Sequence, residues 1–160
     1  MITVNNSLPP NSRVWVYQAN RIFTSSELTE LDEILSGFNA SWQAHGTNLN
    51  SAIEVFYDQF IVFFVDQQAQ EATGCSIDKS MGIVKLIQQK LSVDLLDRLN
   101  LTYRIGTDIN TIRMGDFQTK AKSGEISNST IVFNNLVETK ADFLTNWETT
   151  AGNSWHNNLL

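Results

Sequence analysis

Gly74, Cys75, Ser76, Ile77, Asp78 and Lys79 form the stretch of the chain where reactive groups are most concentrated. Cys75 is the single cysteine, and Lys79 stands one helical turn beyond it. The stretch follows a strongly apolar run, Phe60 to Val65, and a polar loop, Gln67 to Gly74, and it opens an apolar-periodic segment. Unpaired main-chain N–H groups at a helix start favour an anion and lower the pKa of a nearby thiol. A nucleophilic or redox-sensing thiol needs such a place. The blander expectation, and the favoured one, is a small core cysteine beside a Ser76 N-cap, buried behind the 67–74 loop and inert until the protein unfolds.

The available general bases are His45 and His156, with Trp42 three residues before the first and Trp155 adjoining the second. A Cys–His pair supplies nucleophile and base, so Cys75, His45 and His156 are the candidate catalytic residues. Their spacing does not bring them together. His45 reads as the last residue of a helix before a Gly46 cap, and His156 as part of a mobile tail. The candidate ligand-binding residues are Trp42, Ser76, Asp78, Lys79, Trp155 and Arg21, the last in a loop at a strand end. Asp94, Asp97 and Arg98 read as an exposed polar turn. No two ligands of a Cys/His/His metal site share a helical turn, and Asp108 to Asn110 lacks the glycine and final glutamate of a calcium loop. Phosphate-binding patterns, Walker A or G-x-G-x-x-G, are missing. No metal or cofactor is therefore expected.

The elements that must carry these residues follow from periodicity. Arg13 to Gln18 alternates and is rich in β-formers, which predicts a strand. Thr24 to Glu27 has capping-box spacing before Leu28, Leu31, Ile34, Leu35, Phe38 and Trp42, one face of a helix. Ala52 to Asp66 divides into two strands at an Asp58-Gln59 turn, and the second, apolar on both faces, belongs in the middle of a sheet. A second helix is expected from about Ser76 to Leu91, with Ile77, Met81, Val84, Ile87 and Leu91 as its buried stripe. Then come a hairpin around Gly106, a short helix ended by Gly124, a strand at Thr130 to Phe133, a weak helix from Lys140 to Trp147 and a polar tail. Leu31, Leu35, Phe38, Val62, Phe64, Val84 and Ile87 are the expected core between helices and sheet.

The chain has 160 residues, 42% of them hydrophobic, with nine Phe, four Trp and three Tyr. That supports a packed interior and excludes bulk disorder. The net charge of −6 and the lack of a Lys/Arg cluster disfavour nucleic acid as a partner. Charged residues are only 18%, with Asn and Gln in their place. No apolar run approaches the length of a membrane span, so no membrane insertion is expected. The polar start from Met1 to Arg13 does not resemble a signal peptide, and one thiol suits a reducing compartment, so a cytoplasmic protein is expected.

Ser12 to Gln18, Trp42 to Gly46, Gly74 to Asp78, Thr130 to Leu136 and Ser154 to His156 resemble the motifs of an uncharacterised family of small bacterial proteins. Its members often carry the label ABC transporter ATPase. The resemblance places Trp42, His45, Cys75, Ser76, Asp78, Trp155 and His156 in the family pattern and brings no assigned activity. The label implies ATP hydrolysis, which the missing phosphate loop contradicts. Asn157, Asn158 and Leu159 depart from the basic residue and Phe expected at the family's end. Leu101 to about Trp155 is also similar in layout to small GYF-like peptide-binding modules, without their Gly-Tyr-Phe element.

The expected fold is α+β: a ferredoxin-like split βαβ sandwich over about residues 12–106, with a small C-terminal hairpin-helix-strand appendage. The expected division is 1–99 and 100–160. The expected function is a non-catalytic binding or scaffold protein for an unknown protein or small-molecule ligand, not an ATPase, with homodimerisation open. The alternative is a thiol-dependent enzyme or redox sensor centred on Cys75.

Overall fold

The computed structural model describes residues 2–68 and 70–160. Met1 and Ala69, which fall in the expected polar start and the expected 67–74 loop, lie outside the described residues. The fold is α+β, with strands β1 (Arg13–Gln18), β2 (Gln43–Ala44), β3 (Thr47–Asn48), β4 (Asn50–Phe56) and β5 (Phe60–Asp66) in the first part. Helices α1 (Ser25–Ser41) and α2 (Gly74–Leu91) accompany them. The second part holds β6 (Asn100–Ile105), β7 (Asp108–Arg113), α3 (Met114–Ser123), β8 (Ile131–Phe133), α4 (Lys140–Asn146) and β9 (Glu148–Thr150). Two 3-10 turns, Ala151–Asn153 and Trp155–Leu159, finish the chain.

The first sheet has the order β1-β5-β4, all antiparallel. β5 is central, as its two apolar faces require, and Phe60 to Val65 are all buried. The hairpin between β4 and β5 turns at Tyr57 and Asp58, both with positive φ (53° and 52°). That is the primed turn a tight hairpin prefers, made without glycine. A left-handed tyrosine costs about 1–2 kcal/mol. Its surroundings hold it: Phe23 N–H donates to the Asp58 carbonyl at 2.7 Å, and the Tyr57 hydroxyl donates to Glu148 at 2.8 Å. Burial first, then the Glu148 carboxylate, push the Tyr57 pKa up to about 12.

The two faces of this sheet are covered differently. α1 and α2 cover the side carrying Trp15, Tyr17, Ile61, Phe63 and Val65. α1 starts where the capping box predicts: Thr24 accepts from Glu27 N–H and Glu27 accepts from Thr24 N–H. Arg21 adds two hydrogen bonds of 2.8 Å to the Glu27 carboxylate, which lowers its pKa to about 2. The other face, with Val14, Val62 and Phe64, packs on Phe133, Val137, Phe143 and Trp147. Val62 and Phe64 are therefore core residues, but against the C-terminal half and not against α1 and α2. Phe38 is only half-buried.

The four-stranded ferredoxin-like sheet does not form. Its fourth strand would be the one near Leu101, beside β1. That strand exists as β6, but it joins a second sheet of order β7-β6-β8-β9. The cause is local. Gly106, at φ +61°, opens a two-residue turn that pairs β6 with β7 along its whole length, from Asn100↔Arg113 to Ile105↔Asp108. Among the described residues, no helix is long and apolar enough to cross a membrane.

Candidate functional site

β1 pairs with β5 along one side, and past a single bridge from Arg13 to Thr139 a cleft lies along the other. It has a volume of about 920 Å³. Trp15, Val16 and Tyr17 of β1 form its back. Ile77 and Met81 of α2 with Leu95 and Leu96 form one wall, and Leu101, Phe133 and Leu136 form the other. Trp155 contributes from the C-terminal turn. Ile77 and Met81 belong to the predicted buried stripe of α2, but only Val84, Ile87 and Leu91 of that stripe are fully buried. The upper two face the cleft because β6 does not arrive to cover them. Leu136 stands 60% exposed at the rim.

Polar and charged residues make up nearly half of the cleft lining, and several are tied in place. Gln18 donates to the Asn100 carbonyl (3.1 Å) and accepts from Asn135 (3.0 Å), tying the end of β1 to the start of β6 and to the segment after β8. Asn135 in turn accepts from the Trp147 indole at 2.9 Å. Arg13 lies over the Trp15 ring, 4.7 Å from its centroid. Asp97 pairs with Arg113 at 2.6 Å, and this bond with the Leu99 N–H keeps its carboxyl below the usual range. Tyr17 is pushed above its ordinary pKa by burial.

The sequence-predicted site residues do not converge on this cleft. Of the nine, Trp155 lines it. Cys75 is exposed, which corrects the expected burial behind the loop. Helix α2 begins at Gly74, capped by Thr73, so Ser76 is the third helical residue of a capping box and not the N-cap. Ser76 is buried, and its carbonyl accepts from the Trp42 indole N–H at 2.8 Å. Trp42 is 1% exposed and packs on Trp15, Phe38 and Phe63. Both are structural here. Asp78 and Lys79 are exposed on α2.

The histidines also depart from expectation. α1 ends at Ser41, and His45 lies instead in the turn between β2 and β3, at φ 52° beside Gly46. It is exposed. His156 is not in a mobile tail. It is 1% exposed, stacked on Trp155 (ring centroids 4.0 Å apart) and 5.7 Å from the Phe117 ring. Ser154 Oγ caps this turn, accepting from His156 N–H at 3.2 Å, and lies 2.7 Å from Nδ1. Burial lowers the His156 pKa to about 4, so the ring is neutral at pH 7. Among the described residues, no hydrogen bond joins Cys75 to either histidine, and no three His, Cys, Asp or Glu side chains gather where a metal could be held.

Sequence reasoning missed most of the cleft: Trp15, Tyr17, Met81, Leu96, Arg98 and Leu136. Strand alternation and helical stripes place such residues in a core. Nothing in local spacing shows that one sheet edge is left uncovered. Comparisons of the chain with protein-family models, with curated proteins and with solved structures find no match.

Proposed function

We propose that this protein is a non-catalytic binding protein whose ligand occupies the cleft along β1. One observation carries this reading: the large concave surface along β1 is lined by apolar and polar side chains, and Cys75, His45 and His156 are not among them. Ligand sites are concave, with apolar walls and polar groups that fix orientation, and this cleft is concave with apolar side chains from β1, α2 and β6. ATP hydrolysis is not part of the proposal, because no glycine-rich cradle for phosphates exists in the sequence. The lone thiol fits a reducing, cytoplasmic setting.

The test uses the apolar fluorophore anilinonaphthalene sulfonate as probe. Titration into the folded protein should shift the amide resonances of Val16, Tyr17 and Met81 saturably, and Met81→Glu should abolish the effect with the fold intact. Shifts confined to Gly74–Ser76, or binding unaffected by Met81→Glu, would overturn the assignment. A second reading is a thiol-dependent activity at Cys75. Its support is the exposure of that thiol in the first turn of α2.

A further inference from the structure

The split βαβ order leaves room for one more strand beside β1, away from β5. β6 does not take it. Main-chain groups of an antiparallel strand alternate between its two sides. On the outward side of β1, Val14 N–H donates to the Glu138 carbonyl at 2.9 Å. Residues 14, 16, 18 and 20 therefore point their N–H and C=O groups outward, while Arg13, Trp15 and Tyr17 serve β5. At the far end Asn20 N–H donates to the Asp94 carbonyl at 3.0 Å. Between these two clamps, the outward main-chain groups of Val16 and Gln18 have no partner among the described residues. They open onto the cleft.

We infer that an extended peptide segment of a partner protein, apolar on successive residues and carrying a carboxylate at one end, adds to β1 as the missing strand. The inference rests on the cleft being the binding site. The edge already accepts extended chain: Val137–Thr139 lies against the start of β1, with an antiparallel bridge between Arg13 and Thr139 and a bond of 2.8 Å from Lys140 N–H to the Ser12 carbonyl. A ligand strand continues that ladder. Between the clamps, from Trp15 to Ala19, the edge is roughly 13 Å long at ~3.3 Å per residue, the length of a short strand.

The walls select the side chains. Residues of a strand point alternately to its two faces. One face of the incoming strand meets Ile77, Met81 and Leu96, and the other meets Leu101, Phe133 and Leu136. Both are apolar, so apolar residues on both faces are favoured, as in β5. Charge sets the end. At one end Arg13, over the Trp15 ring, and Glu138 both line the cleft, and Asp97 is held by Arg113. Arg98 forms no ion pair among the described residues, and it sits in the turn that closes the opposite end. A carboxylate there completes it.

The probe is a random heptapeptide library displayed on phage, selected against the full chain. Enriched peptides should be apolar at consecutive positions with Asp, Glu or a free C-terminus at one end. An enriched peptide should slow amide exchange at Val16 and Gln18 and leave Trp15 and Tyr17 unchanged. Val16→Pro deletes only an outward N–H of an edge strand, a place where proline is tolerated. It should weaken binding by about tenfold or more. Binding that Met81→Glu abolishes but that leaves Val16 and Gln18 exchange unchanged would overturn strand addition and keep the cleft. Binding insensitive to Met81→Glu would overturn both. Failure to enrich apolar peptides would overturn strand addition, as would a dimer of the chain that Val16→Pro dissolves, because the occupant would then be a second copy.

Discussion

Around Trp147 the C-terminal half closes against the first sheet, whereas along β1 it stands off and leaves a cleft of about 920 Å³. The closed region is aromatic and dry. Trp147 is fully buried, stacked on Phe143 at 4.7 Å and edge-on to Phe60 at 4.9 Å. The open region begins two hydrogen bonds away, through Asn135 and Gln18. Those amides show where closure stops. Gln18 is 9% exposed and bonded on both sides, and burying it without partners would cost more than the cleft would gain by collapsing. Aromatic packing fixes how the halves meet, and a satisfied amide strut holds the rest of the join apart.

The largest expected effect tests that contrast directly. Trp147→Ala should cost about 3–5 kcal/mol, because it empties the centre of a packed aromatic cluster and leaves Asn135 Oδ1 without its indole donor. Trp155→Ala, at a half-buried residue on the cleft, should cost about 1 kcal/mol. Urea unfolding of the two variants measures both. Equal losses would break the comparison, since the cleft would then be as much a part of the core as the aromatic cluster.

The strands and helices of the first part were legible in the sequence, while the packing of Val62 and Phe64 around Trp147 was not. The Thr24–Glu27 capping box and the doubly apolar Phe60–Val65 run each specify local structure through contacts within a few residues, and both formed as expected. The open region was not legible, because it depends on which of two sheets β6 joins. Pairing with β7 across Gly106 closes a short loop, and pairing with β1 spans more than eighty residues. Nothing in Asn100 to Ile105 itself signals the choice. His156 misled for a similar reason: a Gly/Asn/Ser-rich end looks mobile, yet Phe117 and Trp155 enclose the ring. The α+β class survived both surprises, since it needs only the elements and not their partners.

An intermediate effect sharpens the comparison through pH. The unfolded chain protonates His156 near its ordinary value of 6.5, and the folded chain only near 4. Between those values the unfolded state binds more protons. Stability is thus fully present above about pH 6.5 and falls as pH drops toward 4, by on the order of 2 kcal/mol. Glu27 loses its ionised advantage only from about 4.5 down toward 2, so the upper window belongs to His156. Urea titrations at pH 7 and 4.5 should differ, and His156→Gln should remove the difference. The indole resonance of Trp155, stacked on that ring, should move through the same window while that of Trp147 stays. Movement of both indoles together would mean that the two regions respond as one unit.

The smallest effect is expected at Cys75, which belongs to neither region. Its side chain is exposed, so Cys75→Ser removes no packing and should change stability by less than about 0.5 kcal/mol. Probe binding in the cleft should be unchanged as well. The same exposure means that the native thiol should react with iodoacetamide, without waiting for unfolding, at a rate close to that of a small model thiol. Ser76 is committed to its capping box, and among the described residues no histidine is hydrogen-bonded to the sulfur, so activation would have to come from the N-terminal end of α2 alone. The alkylation rate of native protein against the model thiol, followed from pH 5 to 9, measures this. A native rate far above the model at pH 5–6, lost on unfolding, would require a stabilised thiolate. It would move the chemistry of this protein from the β1 cleft to the first turn of α2.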